Sequence, residues 1–397
     1  MNFLLNWCNK QFVSRLGAVW ILLVLATAIQ NTIFAIRYGC RVLSIEAAIS
    51  IAVMYGICFV LCSLFAQRLI TERLHPSIFF VACIGILVLG GILLGSIAQS
   101  SVVNDRYYMI QIFWDQLIHG VNPYNPMSGT FSNNVPGGYP FYFLLAFPGW
   151  LAGEIGILHL SGFLIYFFLI SFLFRKNTRL KIIALIPIVL SVSFWYEFPA
   201  RSTLFFNMVI CLAYIIWLNA TNIRSVRTLI VVGIAGGVVL STRTIALFPI
   251  ITLYAYLLQQ KQIQWKSLLL ICTCHILVFL APIALLYLWH PHDFSINNPF
   301  MVQTTYGNLV FCVALCGLSL FAGILAKKPS HLILLCAIIL CCSVIGKHLL
   351  VIFQVGWQLG IFSNKPDISY VVIPLPFFGI ALALYYQKNY THSGSSN

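Results

Sequence analysis

Charged residues are scarce in this chain, and acidic residues are the scarcest. The 397 residues include eight Asp and Glu, and 8% of the sequence is charged against 61% that is hydrophobic. A soluble globular protein carries about 25% charged residues, so this composition excludes a soluble domain of useful size. Apolar stretches of about twenty residues recur along the chain, as is typical of bilayer-spanning helices. The sequence predicts an all-α polytopic membrane protein.

Other absences narrow the functional classes. The thirteen cysteines lie mostly inside apolar stretches, and their spacing from the histidines does not indicate zinc or a disulfide framework. An internal repeat of the kind that marks many transporters is missing from the sequence. The net charge of +14 does not indicate a nucleic-acid partner, because cationic loops orient membrane proteins.

The apolar stretches predict ten to thirteen transmembrane helices in a single transmembrane domain over 1–390, followed by a disordered tail over 391–397. The number of membrane crossings is ambiguous in two regions: 141–174 is too long for one span and short for two, and 228–258 is interrupted by polar residues at 241–244. The clear spans are 16–36, 45–66, 78–98, 157–174, 182–198, 203–220, 267–289, 307–326, 331–352 and 370–387.

Positive residues predict the orientation. A cytoplasmic N-terminus leaves most of the 22 Lys and Arg residues on the inner side and the loop 99–153 outside. We expect a multi-pass protein of the cytoplasmic (inner) membrane with its active site on the outer face. Residues 141–153 are expected to follow the outer surface. Residues 228–258 are expected to form two short helices that meet at 241–244 and hold Arg243 within the bilayer.

The outer loop contains two of the scarce acids, Asp105 and Asp115. Apolar residues at helical spacing between Asn104 and His119 predict an amphipathic helix at the outer interface, which Gly120 can end. Ten helical residues separate the two carboxylates by about 15 Å and about 80°. A cooperating glycosidase pair needs about 5–9.5 Å, so one carboxylate is expected to act alone as a base.

Simpler roles stay open for both acids. Asp105 can cap the start of the helix, and Asp115 can lie on a solvated face, paired with His119 one turn later. We expect no cofactor. The alternative is a divalent metal at the His290-Pro-His292-Asp293 cluster.

Four segments form a recognisable set of motifs: Asp105 with Tyr107-Tyr108, Gly120-Val-Asn-Pro-Tyr124, Gly138-Tyr-Pro-Phe-Tyr-Phe-Leu-Leu-Ala-Phe-Pro148 and Gly237-Val-Val-Leu-Ser-Thr-Arg-Thr-Ile-Ala-Leu-Phe-Pro249. They resemble motifs of the GT-C glycosyltransferases, polytopic enzymes that take a sugar from a polyprenyl-phosphate carrier, and in particular of the bacterial mannosyltransferase-like members. The resemblance covers about 100–260, and it implies that Asp105 is the general base.

A phosphate-bearing donor needs cations, which also stabilise the charge that develops on the leaving group. Charged residues within a bilayer are costly and therefore have a partner or a function. The candidates for binding the donor phosphate are Arg106, Arg201, Arg243 and Lys347. The alternatives are that Arg201 pairs with Glu197 at i+4 and that Lys347 extends to the interface. The candidates for contact with the acceptor or sugar are Tyr108, Tyr124, Tyr139, Glu197, His292 and Asp293.

The loop chemistry and the resemblance together imply a membrane glycosyltransferase of the hexosyltransferase type. It would move a sugar from a polyprenyl-phosphate donor to a hydroxyl of a lipid or glycan acceptor on the extracytoplasmic side, with inversion. Membrane lipids are expected partners, and nucleic acid is not. The alternatives are a transporter or flippase of lipid-linked saccharides and a polysaccharide polymerase or ligase.

Overall fold

The computed structural model describes residues 16–70, 74–98, 106–126, 135–221, 223, 225–301, 308–362 and 368–393. Within these ranges all regular secondary structure is helical. The α-helices in chain order are α1 (Leu16–Gly39), α2 (Ile45–Leu69), α3 (Pro76–Ser96), α4 (Arg106–Ile118), α5 (Pro140–Leu151), α6 (Ile157–Leu173), α7 (Thr178–Leu190), α8 (Val192–Tyr196), α9 (Leu204–Ala220), α10 (Val226–Leu240), α11 (Leu247–Gln259), α12 (Trp265–Trp289), α13 (Pro291–Ile296), α14 (Leu309–Leu325), α15 (Pro329–Val355), α16 (Trp357–Phe362) and α17 (Leu375–Ser393).

Six helical stretches in the described residues are long and apolar enough to cross a bilayer. Five lie in α1, α2, α3, α12 and α15, and the sixth is Ser369–Gln387, which joins a 3-10 turn to α17. This confirms the prediction of a polytopic α-helical membrane protein. Other predicted spans coincide with shorter helices: α6, α9 and α14 each have 17 residues. The predicted span 182–198 is divided between α7 and α8.

The predicted helix of the outer loop is present as α4. It ends as expected, because Gly120 follows it with a φ of 74° that favours glycine. Its proposed caps, Asn104 and Asp105, lie outside the described residues. The region 141–153 forms the 12-residue helix α5, whose length of about 18 Å is too short to cross the bilayer.

The interruption predicted at 241–244 is also present. α10 ends at Leu240, and a 3-10 turn over Thr244–Ala246 leads into α11. Pro249 lies in the first turn of α11, where its missing N–H leaves no helical hydrogen bond unmade. The polar Ser-Thr-Arg-Thr segment thus separates two short apolar helices.

The helices group into two compact units. The first comprises Met1–Leu89, Ile165–Glu197 and Leu325–Asn397, and the second comprises Gly90–Leu164 and Phe198–Ile324. In the first unit α1 packs on α2, and α17 packs on α7 and α15. Trp20 of α1 stacks on Phe378 and Tyr385 of α17 with ring centroids 5.5 and 5.2 Å apart. The Ser191 hydroxyl donates to Asn31 Oδ1 at 2.6 Å, a polar contact that joins α1 to the break between α7 and α8.

In the second unit α4 packs on α5, and α10 packs along α12. The face of α10 toward α12 carries Gly233, Gly236 and Gly237, and a Cβ at Gly236 would overlap the ring of His275. Glycines of this kind allow helix backbones to approach closely within a membrane. The absence of side chains on this face is therefore what lets α10 and α12 pack together.

A chain of hydrogen bonds lies beside this interface. The hydroxyls of Tyr214 and Tyr254 are 2.6 Å apart, and the Tyr254 hydroxyl is 2.7 Å from Nε2 of His275. These residues belong to α9, α11 and α12, and all three are buried. Buried polar groups are stable when they bond to one another, so this chain holds the three helices together.

Candidate functional site

The strongest candidate site lies at the helix interruption between α10 and α11. Ser241 is the C-cap of α10, and the Thr242 hydroxyl donates to the carbonyl of Val239 at 2.6 Å. The backbone N–H of Tyr142 in α5 donates to the carbonyl of Ser241 at 3.2 Å. Backbone carbonyls at the end of α10 thus accept hydrogen bonds from a local hydroxyl and from the outer-loop helix α5.

Arg243 follows this end and is 8% exposed. Its guanidinium carbon lies 4.6 Å from the centroid of the Tyr142 ring, a cation–π contact. Its Nε has no hydrogen-bond partner among the described residues, and the same holds for the buried Tyr142 hydroxyl and Ser241 hydroxyl. Buried polar groups are normally hydrogen-bonded, so Arg243 Nε and the two hydroxyls on neighbouring segments are exceptions to that rule.

Tyr139 closes another side of this site. It is the N-cap of α5, and Pro140 at the first helical position favours the start of that helix. Its hydroxyl lies 3.3 Å from Oγ1 of Thr244, and its ring contacts Phe279 and Phe300. Burial raises the pKa of Tyr139, although the bond to Thr244 acts in the opposite direction. The hydroxyl therefore stays protonated and can donate a hydrogen bond.

The arrangement is suited to an anion. A guanidinium binds phosphate or carboxylate with two parallel N–H bonds. The 3-10 turn and α11 begin directly after Arg243, and the N-terminal end of a helix adds partial positive charge. A neutral phenol and a serine hydroxyl supply further donors.

Arg201 is equally buried, at 6% exposure, but protein groups occupy its guanidinium. Its Nε donates to both carboxylate oxygens of Glu154 at 3.1 Å, which makes an ion pair. Its Nη groups donate to the carbonyls of Leu94 at 3.1 Å, Pro199 at 3.2 Å and Ile97 at 3.4 Å. Leu94 and Ile97 lie at the C-terminal end of α3, where helix carbonyls lack partners within the helix.

These contacts favour a structural role for Arg201 over the predicted binding of a donor phosphate. Its carboxylate partner lies 47 positions earlier in the sequence, not at the i+4 spacing to Glu197. Its backbone φ is 49°, a conformation that costs a non-glycine residue roughly 1–3 kcal/mol. The four protein partners compensate for this strain and fix the end of α3 to the turn before α6.

Arg106 begins α4 and is also buried. Its Nη1 donates to the hydroxyl of Ser202 at 2.5 Å. This bond ties the start of the loop helix to the segment that carries Arg201. Arg106 lies next to Asp105, the predicted base, and Asp105 itself lies outside the described residues.

Asp115 is half-buried on α4, and its Oδ1 accepts a hydrogen bond from Nε1 of Trp150 at 3.2 Å. The predicted alternative of a side-chain pair with His119 was wrong. His119 Nδ1 instead lies 2.6 Å from the backbone carbonyl of Asp115, which caps the end of α4 because terminal helix carbonyls need donors. α4 runs without interruption from Arg106, so the predicted wide separation of the two aspartates stays the expectation.

The predicted acceptor residues of the second unit differ in exposure and in contacts. Tyr124 is fully buried and its hydroxyl donates to the carbonyl of Gly138 at 3.0 Å, which makes it a packing residue. Tyr108 is half-buried beside Tyr107. His292 is exposed and Asp293 half-buried in the short helix α13. Asp293 is the acidic residue of the first turn of α13, a position that favours a negative charge.

Two predicted site residues, Lys347 and Glu197, belong to the first unit. The Lys347 ammonium lies 4.6 Å from the centroid of the Tyr370 ring, and Glu197 is fully buried. A shallow groove of about 350 Å³ lies between α1 and α2 of this unit, lined by Leu25, Ile29 and other uncharged residues. Because the groove has no titratable side chain, it is not a candidate for chemistry.

Metal chemistry has no visible support in the described part of the chain, where no three His, Cys, Asp or Glu side chains are grouped closely enough to hold an ion. His290, His292 and Asp293 therefore do not form such a group. His290 Nε2 instead lies 3.1 Å from the carbonyl of Gly120.

The chain has no significant match among known protein families, curated proteins or solved structures. Its function is therefore inferred from its residues and their geometry. Sequence reasoning did not select Glu154, Trp150, Tyr142 and Ser241. Glu154 is one of the eight acids of the chain, and Tyr142 lies within the Gly138–Pro148 motif. These two residues could therefore have been selected from the sequence.

Proposed function

We propose that this protein is a membrane glycosyltransferase that moves a sugar from a polyprenyl-phosphate donor to an acceptor hydroxyl on the extracytoplasmic side. The supporting observation is Arg243. It is a buried cation at the interruption of two apolar helices, and none of its described neighbours is a carboxylate bonded to it. An uncompensated charge in such surroundings is costly. A phosphate carried by a lipid would supply the missing charge.

The proposed reaction is a displacement at the anomeric carbon of the donor sugar. The acceptor oxygen attacks the anomeric carbon while its proton passes to the carboxylate of Asp105, the base that the family resemblance implies. The bond from the anomeric carbon to the phosphate oxygen breaks, and its electron pair remains on the phosphate. Arg243 stabilises the charge that develops there, and the attack inverts the anomeric centre.

We extend the proposal to the topology. α6, α9, α14 and the α7–α8 pair would cross the bilayer beside the six longer helical stretches, which gives at least ten crossings in a GT-C-like arrangement. The N-terminus would be cytoplasmic and the protein would reside in the cytoplasmic membrane. α4 and α5 would lie at the outer interface.

Binding of the carrier tests the role of Arg243. Purified protein in lipid nanodiscs is titrated with a long-chain polyprenyl phosphate and with the matching uncharged polyprenol, and bound lipid is measured by native mass spectrometry. We expect binding that requires the phosphate. Loss of a charged hydrogen bond costs about 1.5–3 kcal/mol, so R243Q should weaken binding roughly 10- to 100-fold.

The matched control is R227Q, because Arg227 is an exposed arginine near the start of the same helix α10. It should leave the affinity for the polyprenyl phosphate unchanged. Equal binding of polyprenol, or equal losses in R243Q and R227Q, would contradict the phosphate site.

Transfer itself tests the reaction. Protein is incubated with a set of radiolabelled polyprenyl-phosphate hexoses and a membrane-lipid extract as acceptor, and labelled products are separated. D105N should bind polyprenyl phosphate normally and form no product. A D105N protein with full transfer would exclude Asp105 as the base. Movement of labelled lipid across a vesicle without product would favour the flippase alternative.

A further inference from the structure

A second cluster of polar and aromatic residues in the second unit lies around Asp115. One oxygen of its carboxylate accepts from Trp150, and the other makes no hydrogen bond to the described residues. It has no ion pair with a described cation either. An ionised carboxylate has about four acceptor positions, so most of the hydrogen-bonding capacity of Asp115 is open to a ligand.

Tyr107 lies beside the Arg201–Glu154 ion pair, with the guanidinium carbon of Arg201 6.0 Å from the centroid of its ring. Burial and the negative charge of Glu154 raise the pKa of Tyr107, and the positive charge of Arg201 acts in the opposite direction. Tyr107 and Asp115 are separated along α4 by about 12 Å, so Tyr107 borders the ion pair and not the Asp115 carboxylate.

Aromatic rings form the remainder of this cluster. The centroid of Trp114 is 4.5 Å from that of Phe147 and 6.0 Å from that of Trp150, and Phe147 and Trp150 are 5.6 Å apart. All three side chains are half-buried. Aromatic faces with a few oriented polar groups are the usual lining of a small-molecule site.

We propose that Asp115 and Trp150 form a binding site for an uncharged sugar unit. Sugar hydroxyls would donate charge-assisted hydrogen bonds to the free carboxylate oxygen, and the C–H face of the ring would pack on the indole. The net negative charge of Asp115 disfavours a phosphate here, which separates this site from the cationic site at Arg243. The inference rests on the proposed function, because a glycosyltransferase must hold a sugar as well as a phosphate.

The sugar has two sources, the donor and the acceptor, and two experiments distinguish them. In the first, nanodiscs are titrated with a polyprenyl phosphate and with the same lipid carrying glucose, mannose or galactose. If the site holds the donor sugar, D115N weakens binding of the sugar-bearing lipid about tenfold and leaves binding of the bare polyprenyl phosphate unchanged. W150F should also weaken binding of the sugar-bearing lipid, by a smaller factor, and leave binding of the bare polyprenyl phosphate unchanged.

In the second experiment, methyl glycosides are offered as acceptors in the transfer reaction. If the site holds the acceptor, D115N raises the KM for the glycoside about tenfold at an unchanged donor KM. E46Q, which removes an exposed carboxylate of α2, is the matched control.

Unchanged sugar affinity and unchanged acceptor KM in both D115N and W150F would overturn the sugar site. If polyprenyl phosphate still binds in a phosphate-dependent way, the proposed function survives that result. Conversely, a wild-type protein that binds a methyl glycoside through Asp115 but does not bind polyprenyl phosphate would retain the sugar site and reject the proposed function.

Discussion

Arg201 and Arg243 are buried arginines of the same unit with opposite surroundings. Arg201 bonds to one carboxylate and three backbone carbonyls. Arg243 has a stacked tyrosine and a buried Nε with no partner among the described residues. Both residues are costly to place in an apolar environment. A carboxylate compensates for the charge of Arg201, whereas no described carboxylate bonds to Arg243.

The difference separates two uses of a buried cation. A guanidinium whose donors are all directed at the protein fixes structure, because each bond restrains a different segment. A guanidinium that keeps its donors available is prepared for a partner that arrives later. Sequence patterns alone assigned both residues to the same phosphate, whereas their contacts differ, and under the proposed function only Arg243 keeps that role.

The largest expected effect concerns stability. R201M leaves the half-buried Glu154 carboxylate and three backbone carbonyls without their donor, which costs about 3–5 kcal/mol in total because each unsatisfied group costs about 1–3 kcal/mol. The thermal midpoint of the purified protein should fall by about 4–6 °C, because the shift per kcal/mol is small for a chain of this length. R243M removes an uncompensated charge and should lower the midpoint little or raise it. Equal losses, measured by circular dichroism in the same detergent, would remove the distinction between the two arginines.

A smaller effect is expected at Glu154. E154Q retains an oxygen acceptor for Arg201 but loses the charge, and the weaker bond should reduce the free energy of unfolding by about 1.5–3 kcal/mol. E46Q, at an exposed position in the first turn of α2, should reduce the free energy of unfolding by less than about 1 kcal/mol. A loss in E46Q as large as that in E154Q would mean that the ion pair is not the cause.

A local effect is expected at Ser202. S202A removes the acceptor of Arg106 and should weaken the anchoring of α4 by about 1 kcal/mol. Hydrogen exchange should therefore become faster in Arg106–Ile118 and stay unchanged in the first unit. S161A is the control, since the Ser161 hydroxyl bonds to the Ile157 carbonyl of its own helix. Unchanged exchange in α4 would show that other contacts hold its start.

The smallest effect is expected at Tyr139. Its hydroxyl is 3.3 Å from Thr244, a long bond, and its ring contacts persist in Y139F. The free energy of unfolding should therefore fall by less than about 1 kcal/mol. A loss as large as that of R201M would indicate that the Tyr139 hydroxyl has a further structural partner.

The helices of this protein were largely predictable because hydropathy and turn chemistry are local. The spans, the loop helix over 106–118 with its Gly120 terminator, and the interruption at 241–244 all follow from residues that are close in sequence. The partners of the site were not predictable in this way. Asp115 bonds to Trp150, which lies 35 positions away, rather than to the side chain of His119.

Arg201 illustrates the same limit. A spacing rule proposes a partner one turn away, whereas Glu154 reaches Arg201 through the packing of the turn before α6 against the end of α3. Such pairs depend on where helices end in space, which a single sequence does not specify. The role of Asp105 depends on the family resemblance, because that residue lies outside the described ranges.

The glycine face of α10 has a consequence for how this protein is made. α10 has 15 residues, about 22 Å of helix, which is short of the bilayer core of about 30 Å. Its three glycines complete no interface until α12 lies against them. During synthesis α12 emerges later than α10, so we expect α10 to remain beside the insertion machinery and to enter the membrane as a pair with α12. A nascent chain stopped before Trp265 would then leave α10 accessible to water-soluble thiol reagents after a cysteine is placed in it.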